Sequence, residues 1–121
     1  MRKTFLTAAA LALLATGAQA GDAANGKTVF ARCAICHTIQ KGGPNGLGPN
    51  LFGVVGRKAA SLPSFMYSGA LKSSGITWTP DKIKAWVQGP MRMVPGTKMA
   101  FAGLSSAKQA DDVVAYLSTL K

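Results

Sequence analysis

Two thiols and an imidazole occur within five consecutive residues, in the run Cys33-Ala34-Ile35-Cys36-His37. They are both cysteines of the chain and its single histidine. Thiols three residues apart on a helical turn face the same side and can bond two neighbouring vinyl groups of one porphyrin, and the following imidazole then lies beneath the metal. The spacing therefore predicts one covalent haem c, bound through thioethers from Cys33 and Cys36, with His37 as an axial ligand of the iron.

Two other chemistries use a Cys-x-x-Cys pair. A redox-active dithiol needs a preceding strand and a βαβ pattern, whereas Asp22 is suited to cap a helix and Val29 and Phe30 lie one turn before Cys33. A disulfide across so short a loop would remove little entropy from the unfolded chain. The adjacent histidine and the export signal described below favour haem attachment over both.

The second axial position of the iron has several candidate ligands. A single histidine excludes bis-histidine ligation within one chain, which leaves a methionine thioether, a lysine amine or an open position. The later methionines are Met66, Met91, Met93 and Met99. Core filling is the commoner role of methionine, but Met99 ends a loop that opens with Pro95 and Gly96, and such a loop can cross the far face of a haem. A thioether ligand would raise the reduction potential and would close the sixth position to oxygen and peroxide.

The first 20 residues have the pattern of a secretory signal peptide. Arg2 and Lys3 precede an apolar run from Phe5 to Thr16, and Ala18-Gln19-Ala20 is a small-x-small cleavage site. The run is shorter than the roughly 18 apolar residues that a spanning helix needs, which disfavours a membrane anchor. We expect the signal peptide, residues 1–20, to be cleaved after about Ala20, and residues 21–121 to form one domain in the periplasm, with no membrane span.

The charge balance limits the remaining function classes. The chain has 14 basic residues, four aspartates and no glutamate, and loss of Arg2 and Lys3 with the leader would leave a net charge of +8. So few acids leave little for acid–base hydrolysis, and two cysteines cannot form a zinc site of several thiolates. The positive charge suits an acidic protein surface, a nucleic acid or an anionic membrane. Because the basic residues are scattered and match no nucleic-acid-binding motif, we expect no nucleic-acid partner.

Helices joined by long loops must position these residues. The predicted elements are a helix over about 22–35, a Gly- and Pro-rich loop over 40–63, a short helix near 68–74, a helix from Thr79 and Pro80 to Gly89, and a last helix from Ser105 or Ser106. In the fourth element Ile83, Trp86 and Val87 share one face, and no segment shows strand alternation. The fold class is therefore all-α, with loops around a prosthetic group.

Seven short motifs occur in the order in which one protein family has them. They are Cys33-Ala-Ile-Cys36-His37-Thr38, Gly48-Pro49-Asn50-Leu51, Gly56-Arg57-Lys58, Phe65-x-Tyr67, Gly75-Ile76-Thr77-Trp78, Pro95-Gly96-Thr97-Lys98-Met99 and Ala115-Tyr116-Leu117. Over about residues 22–121, the chain resembles the class I cytochromes c, in the short bacterial form that is closest to mitochondrial cytochrome c.

The resemblance implies a class I cytochrome c fold, with about three main helices plus short helices and long loops wrapped around one covalent haem. It implies that His37 and Met99 ligate the iron, and that the Pro49 carbonyl bonds the His37 ring. It further implies an electron-transfer protein and not an enzyme: a soluble, monomeric, periplasmic one-electron carrier that docks transiently on acidic surfaces. Its electrons would pass from a quinol-oxidising cytochrome complex to a terminal oxidase, a reaction centre or another acceptor. The alternative is a haem peroxidase or a small-ligand-binding haem protein with an open sixth position, which needs a distal acid–base group.

The resemblance also assigns Tyr67 and Trp78 to a haem propionate, with Arg57 compensating its charge. Two positions depart from the family pattern. Trp86 replaces a common tyrosine and Leu71 replaces a common asparagine. Because these changes remove a hydroxyl and an amide, we expect a drier pocket that disfavours the ferric charge and raises the reduction potential.

Overall fold

A computed structural model describes residues 21–121, and the predicted signal peptide lies outside these described residues. The helices are α1 (Ala23–Phe30), α2 (Gly69–Lys72), α3 (Pro80–Gln88), α4 (Pro90–Met93) and α5 (Ala107–Ser118). The described part of the chain contains no strand, and its only β-type pairing is an isolated antiparallel bridge between Lys58 and Thr77. The predicted all-α class is therefore confirmed. No helix in residues 21–121 is long and apolar enough to cross a bilayer.

Side-chain caps begin four of the helices. Asp22, Ser68, Thr79 and Ser106 each accept hydrogen bonds from backbone N–H groups in the first turn of α1, α2, α3 and α5. Pro80 occupies the start of α3, where its missing N–H costs no helical hydrogen bond. These starts agree with the prediction because capping is a local interaction between neighbouring residues.

Two predicted boundaries near the cysteines and Met99 differ from the structure. The first helix ends at Phe30, not near residue 35, because the following turns tighten: the N–H of Cys33 bonds the carbonyl of Phe30 at 2.7 Å. The Gly89-Pro90 pair does end α3, but Pro90 also begins α4, a short helix that the sequence did not indicate. A proline is favourable at the first position of a helix, so the same residue both stops and starts one.

The core is built on the crossing of α1 and α5. A Cβ added to Gly26 would lie 1.9 Å from the backbone oxygen of Asp112, so only a glycine permits this approach. The rings of Phe30 and Tyr116 lie 5.4 Å apart, and Val113 is fully buried. The first helix therefore meets the last near Gly26, Phe30 and Tyr116.

A buried carboxylate closes this crossing. Asp112 is 1% exposed and accepts hydrogen bonds from the backbone N–H of Asp22 at 2.8 Å, from Asn25 Nδ2 at 2.5 Å and from Lys108 Nζ at 2.8 Å. The Lys108 ammonium, followed by the two N–H donors, lowers the pKa of Asp112 from 3.8 to about 2. The carboxylate therefore remains ionised at neutral pH and joins the start of α1 to α5.

Candidate functional site

The two cysteines lie in the tight turns that follow α1. The N–H groups of Cys36 and His37 both bond the carbonyl of Cys33, at 3.0 and 2.9 Å, which holds the run as one helical turn. Both thiols are free and half-buried. Burial raises the pKa of Cys33, against a smaller opposing effect of Arg32. A reactive dithiol needs a stabilised thiolate, so this environment disfavours a thiol that exchanges disulfides.

One ring nitrogen of His37 is committed to the protein. Nδ1 lies 2.8 Å from the backbone oxygen of Pro49, as predicted. Since a carbonyl only accepts, Nδ1 carries the hydrogen, and the lone pair is on Nε2. Burial lowers the pKa of His37, an effect that the Pro49 bond partly opposes, so the imidazole stays neutral near pH 7. The result is an oriented imidazole with a free donor nitrogen, as metal-ligating histidines have.

A glycine lies directly against the His37 ring. A Cβ added to Gly48 would come 2.5 Å from the Cε1 atom, so a larger residue would displace the imidazole. The N–H of Gly48 also bonds the carbonyl of Cys36 at 2.8 Å, and that of Gly46 bonds the carbonyl of Gly48 at 3.0 Å. The turn Gly46–Gly48 is thereby fixed onto the segment that carries the cysteines.

Asn50 organises the long loop in a way that sequence reasoning missed. It is 7% exposed, and its Nδ2 donates to the carbonyl of Gln40 at 2.9 Å. Its Oδ1 accepts from the N–H of Phe52 at 2.8 Å, and its own N–H donates to Asn45 Oδ1 at 2.8 Å. Arg57 Nη1 donates to its carbonyl at 2.8 Å. The Gly48-Pro49-Asn50 motif points to this position, but the hydrogen-bond partners of Asn50 cannot be recognised from the sequence.

Met99 is distinguished from the other candidate methionines by its surroundings. Its sulfur accepts a hydrogen bond from Trp86 Nε1 at 3.1 Å, and the Met99 side chain is half-buried. Met66 and Met91 are 77% and 60% exposed, and Met93 packs against the core. Only Met99 among the four is thus held by a polar contact on its sulfur.

The replacement of the family's tyrosine by Trp86 therefore leaves a hydrogen-bond donor at this position. We expected this position to lose a hydroxyl, but the indole N–H of Trp86 donates a hydrogen bond to the Met99 sulfur. The indole ring packs edge-on against Trp78, with the ring centroids 5.1 Å apart. Leu71 is 8% exposed, in line with the expected apolar character at that position. The expectation of a drier pocket is corrected in one respect, because a hydrogen-bond donor to the Met99 sulfur remains.

A cation–π contact joins the cysteine turn to the Met99 loop. The guanidinium of Arg32, one residue before Cys33, lies 5.6 Å from the centroid of the Phe101 ring, two residues after Met99. Such contacts contribute about 0.5–1 kcal/mol at exposed sites. The fold thus brings together two segments that are far apart in the chain.

Tyr67, Trp78 and Arg57, which the resemblance assigns to a haem propionate, are buried or bonded to backbone carbonyls. Tyr67 and Trp78 are each 8% exposed, and the Tyr67 hydroxyl accepts from the N–H of Leu62 at 3.3 Å. The guanidinium of Arg57 donates to the carbonyls of Asn50 and Phe52, and burial lowers its pKa. Their contacts with a propionate stay a prediction.

These side chains form a donor set that fits a haem. Neutral imidazole nitrogen and thioether sulfur suit iron, and the two free thiols are on the same turn as the imidazole. In residues 21–121, no three His, Cys, Asp or Glu side chains gather into a group that could hold a metal ion by themselves. Gly48 packs against the His37 ring, and the Pro49 carbonyl bonds its Nδ1 atom. The described residues therefore offer an imidazole nitrogen, a thioether sulfur and two thiols to a haem, and they do not form a metal-binding cluster of their own.

Comparison with known proteins extends the similarity across the chain. Residues 23–121, which include Cys33, Cys36, His37 and Met99, match the model of the protein family described as cytochrome c. The chain is 41% identical over 117 residues to cytochrome c2 of Blastochloris viridis, covering 97% of this chain and 92% of that protein. It is 47% identical over 102 residues to cytochrome c2 of Rhodoblastus acidophilus, covering 84% and 95%. A solved structure, cytochrome cH from Methylobacterium extorquens, matches with a TM-score of 0.77 at 49% identity, covering 82% of this chain and 99% of that one.

Proposed function

Because the chain belongs to the cytochrome c family, whose members carry covalent haem c, we propose that residues 21–121 form a soluble periplasmic one-electron carrier. Its electrons come from a quinol-oxidising cytochrome complex and pass to a terminal oxidase, a reaction centre or another periplasmic acceptor. The predicted signal peptide supports export, and the names of the bacterial relatives support electron transfer.

Four residues hold the prosthetic group in this proposal. Cys33 and Cys36 provide the thioether attachments, and His37 and Met99 are the axial ligands. When bound, the haem supplies a one-electron ferric/ferrous couple, which a histidine and a methionine ligand poise at high potential. The observation that carries the proposal is that both axial candidates are oriented by the protein: His37 by the Pro49 carbonyl and Met99 by the Trp86 indole.

Contacts within the chain explain why we expect a high reduction potential. The Pro49 carbonyl fixes the tautomer of His37 and keeps Nε2 as the donor atom. Trp86 withdraws electron density from the Met99 sulfur through its N–H, which weakens the donation that would favour a ferric charge. Leu71, Trp78 and Val87 are all buried in the hydrophobic core, which keeps the interior apolar.

The alternative of an open-site haem enzyme finds less support. A peroxidase needs an acid–base group near the sixth position, and the single histidine is already turned to Pro49. The four aspartates, Asp22, Asp81, Asp111 and Asp112, lie at the start of α1, in the first turn of α3 and on α5. None lies in the cysteine turn or in the loop that carries Met99.

Optical spectra of the protein purified from periplasm, with haem maturation active, test the proposal. We expect a sharp low-spin reduced spectrum and the weak far-red ferric band of sulfur–iron ligation. Met99→Ala should abolish that band, whereas Met91→Ala and Met93→Ala, as matched controls, should retain it. N-terminal sequencing should begin at about Gly21.

Three results would contradict this proposal in different ways. A high-spin spectrum that shifts on addition of carbon monoxide would indicate an open iron and support the enzyme or sensor. A far-red band that persists in Met99→Ala would exclude this methionine as the ligand. Absence of covalent haem would return Cys33 and Cys36 to dithiol chemistry.

A further inference from the structure

One peptide group of the long loop is hydrogen-bonded to a side chain at each of its two ends. The oxygen of this group, which joins Pro49 to Asn50, lies 2.8 Å from His37 Nδ1. The N–H of the same group belongs to Asn50 and donates to the Asn45 Oδ1 atom at 2.8 Å. Asn45 therefore contacts the peptide group that orients the candidate iron ligand.

The amide of Asn45 is held by a second part of the loop. Its Nδ2 atom donates to Ser64 Oγ at 3.0 Å and lies 3.3 Å from the Ser64 carbonyl oxygen, which also accepts. Only the oxygen of an amide can accept a hydrogen bond, so these two bonds leave Oδ1 facing the N–H of Asn50. The Asn45 side chain is half-buried, which reduces the competition of water for its bonds.

The backbone on either side of Asn45 is fixed as well. The Thr38 hydroxyl donates to the carbonyl of Pro44, and the N–H of Gly46 bonds the carbonyl of Gly48 at 3.0 Å. Both chain neighbours of the asparagine are thus bonded independently of its side chain. This lowers the entropy cost of holding the amide in a single orientation.

Hydrogen bonds at the two ends of one peptide group strengthen each other. A bond that the N–H donates moves electron density toward the oxygen, and this cooperativity amounts to about 10–30% per bond. The Asn45 amide therefore makes the Pro49 carbonyl a stronger acceptor for His37. A stronger bond on Nδ1 leaves more electron density on Nε2, the ring nitrogen that remains to bind iron.

We propose that Asn45 is a positioning residue, which orients and polarises the Pro49–Asn50 peptide group and through it sets the donor strength of His37. The inference rests on the proposed function and adds to it a residue that tunes the couple. A tether between two parts of the loop would need only the Ser64 bonds, whereas the amide oxygen bonds the group that holds the imidazole. More electron density on Nε2 favours the ferric charge, so Asn45 lowers the reduction potential.

The ratio of ferrous to ferric protein at a fixed solution potential and pH 7 tests the inference. Asn45→Leu removes the acceptor at similar volume and should raise this ratio about two- to threefold, or by about 20–30 mV at about 59 mV for each tenfold change. Asn45→Asp keeps an acceptor oxygen and adds a negative charge, so its ratio should equal or fall below that of the wild type. The Ser64 hydroxyl, an acceptor in the wild type, can donate to this carboxylate.

Two further variants separate tuning from stability. Asn25→Leu removes another asparagine, whose amide bonds Asp112 at the crossing of α1 and α5. It should lower the melting temperature and leave the ratio at the wild-type value. Ser64→Ala removes one of the two acceptors of the Asn45 amide and should raise the ratio by less than Asn45→Leu. Because it keeps the asparagine, this variant decides the question if Asn45→Leu attaches no haem.

The His37 ring provides a second readout that a loss of stability alone does not move. In the ferrous protein, the NMR resonance of the Nδ1 proton should shift to lower frequency in Asn45→Leu, because a weaker bond to Pro49 shields this proton. In Asn25→Leu the resonance should keep its wild-type position.

The outcomes distinguish this inference from the proposed function. A wild-type ratio and a wild-type Nδ1 resonance in Asn45→Leu, with covalent haem attached, would overturn the inference and leave the electron carrier intact. An equal rise of the ratio in Asn45→Leu and Asn45→Asp would assign the effect to a loosened loop and overturn it as well. A wild-type protein without covalent haem would overturn the proposed function, and the inference would fall with it.

Discussion

The crossing of α1 and α5 and the turn that carries the two cysteines both depend on a glycine, but they are held by different contacts. At the crossing, Gly26 lies against the backbone of Asp112, and the Asp112 carboxylate is satisfied by three donors from the protein. At the cysteine turn, Gly48 lies against a side chain, the His37 ring, and both thiols are free.

This difference separates what holds the fold from what orients the ligands. The polar groups at the crossing are matched within the chain, so disturbing them should lower the free energy of unfolding. The groups at the cysteine turn are oriented but leave a nitrogen and two sulfurs for a ligand, so disturbing them should change the bound iron more than the fold. Four substitutions test this distinction, in order of decreasing effect.

Gly26→Ala should have the largest effect. The added Cβ would lie 1.9 Å from a backbone oxygen, and neither helix can yield without moving the other. Overpacking of this kind costs about 1–3 kcal/mol and occasionally more, and with a clash against backbone we expect a large drop in melting temperature by circular dichroism. Gly69→Ala is the matched control, since nothing lies within 4 Å of its added Cβ; its stability should change by less than about 1 kcal/mol. Equal losses in the two variants would contradict the role of the crossing.

Unlike Gly26→Ala, Gly48→Ala should change the absorption spectrum of the haem more than it changes the stability of the fold. Its Cβ would lie 2.5 Å from His37 Cε1, and the ring can turn only by straining the Pro49 bond. We expect an altered ligand field in the low-spin spectrum, with a smaller loss of melting temperature than in Gly26→Ala. A wild-type spectrum combined with a large loss of stability would show that the glycine serves the fold and not the ligand.

Asp112→Asn should remove part of the acid dependence of stability. The folded pKa of about 2 lies below the ordinary 3.8, so this carboxylate stabilises the fold above about pH 4, and the contribution is lost as the pH falls towards 2. The variant should be less stable at neutral pH and approach the wild type near pH 2, as measured by denaturant unfolding. Asn25→Ala, which removes one of the donors, should show a smaller loss. A variant as stable as the wild type at pH 7 would contradict the role of this carboxylate.

Trp86→Phe should have the smallest effect on the fold and a measurable one on the iron. It keeps an aromatic ring beside Trp78 but deletes the N–H that bonds the Met99 sulfur. A hydrogen bond worth about 0.5–1 kcal/mol between the two redox states corresponds to about 20–40 mV for one electron. We expect the potential to fall by that amount in potentiometric titration, with a nearly unchanged melting temperature. Leu71→Asn should also lower it, since an amide favours the ferric charge; an unchanged potential in both variants would show that these positions do not tune the couple.

Local interactions explain which parts of the fold were predictable. The caps of Ser68, Thr79 and Ser106 bond residues only three positions away, and the cysteines and His37 share one turn. The first helix was predicted too long because tightening of its last turn depends on the packing that follows it. The short helix α4 was missed because Gly89 and Pro90 give the same signal for a stop and a restart.

The amino-acid sequence by itself predicted the chemistry of this protein: attachment by two thiols, one imidazole ligand, a leader and a basic surface. Only the tertiary structure decided which distant residues of the chain contact one another around these groups. Asp22 and Asp112 lie 90 residues apart, Trp86 and Met99 lie 13 apart, and Arg32 reaches Phe101 from a separate segment. Residue spacing specifies neighbours within a turn, whereas contacts between distant segments depend on how helices and loops pack after the chain has collapsed.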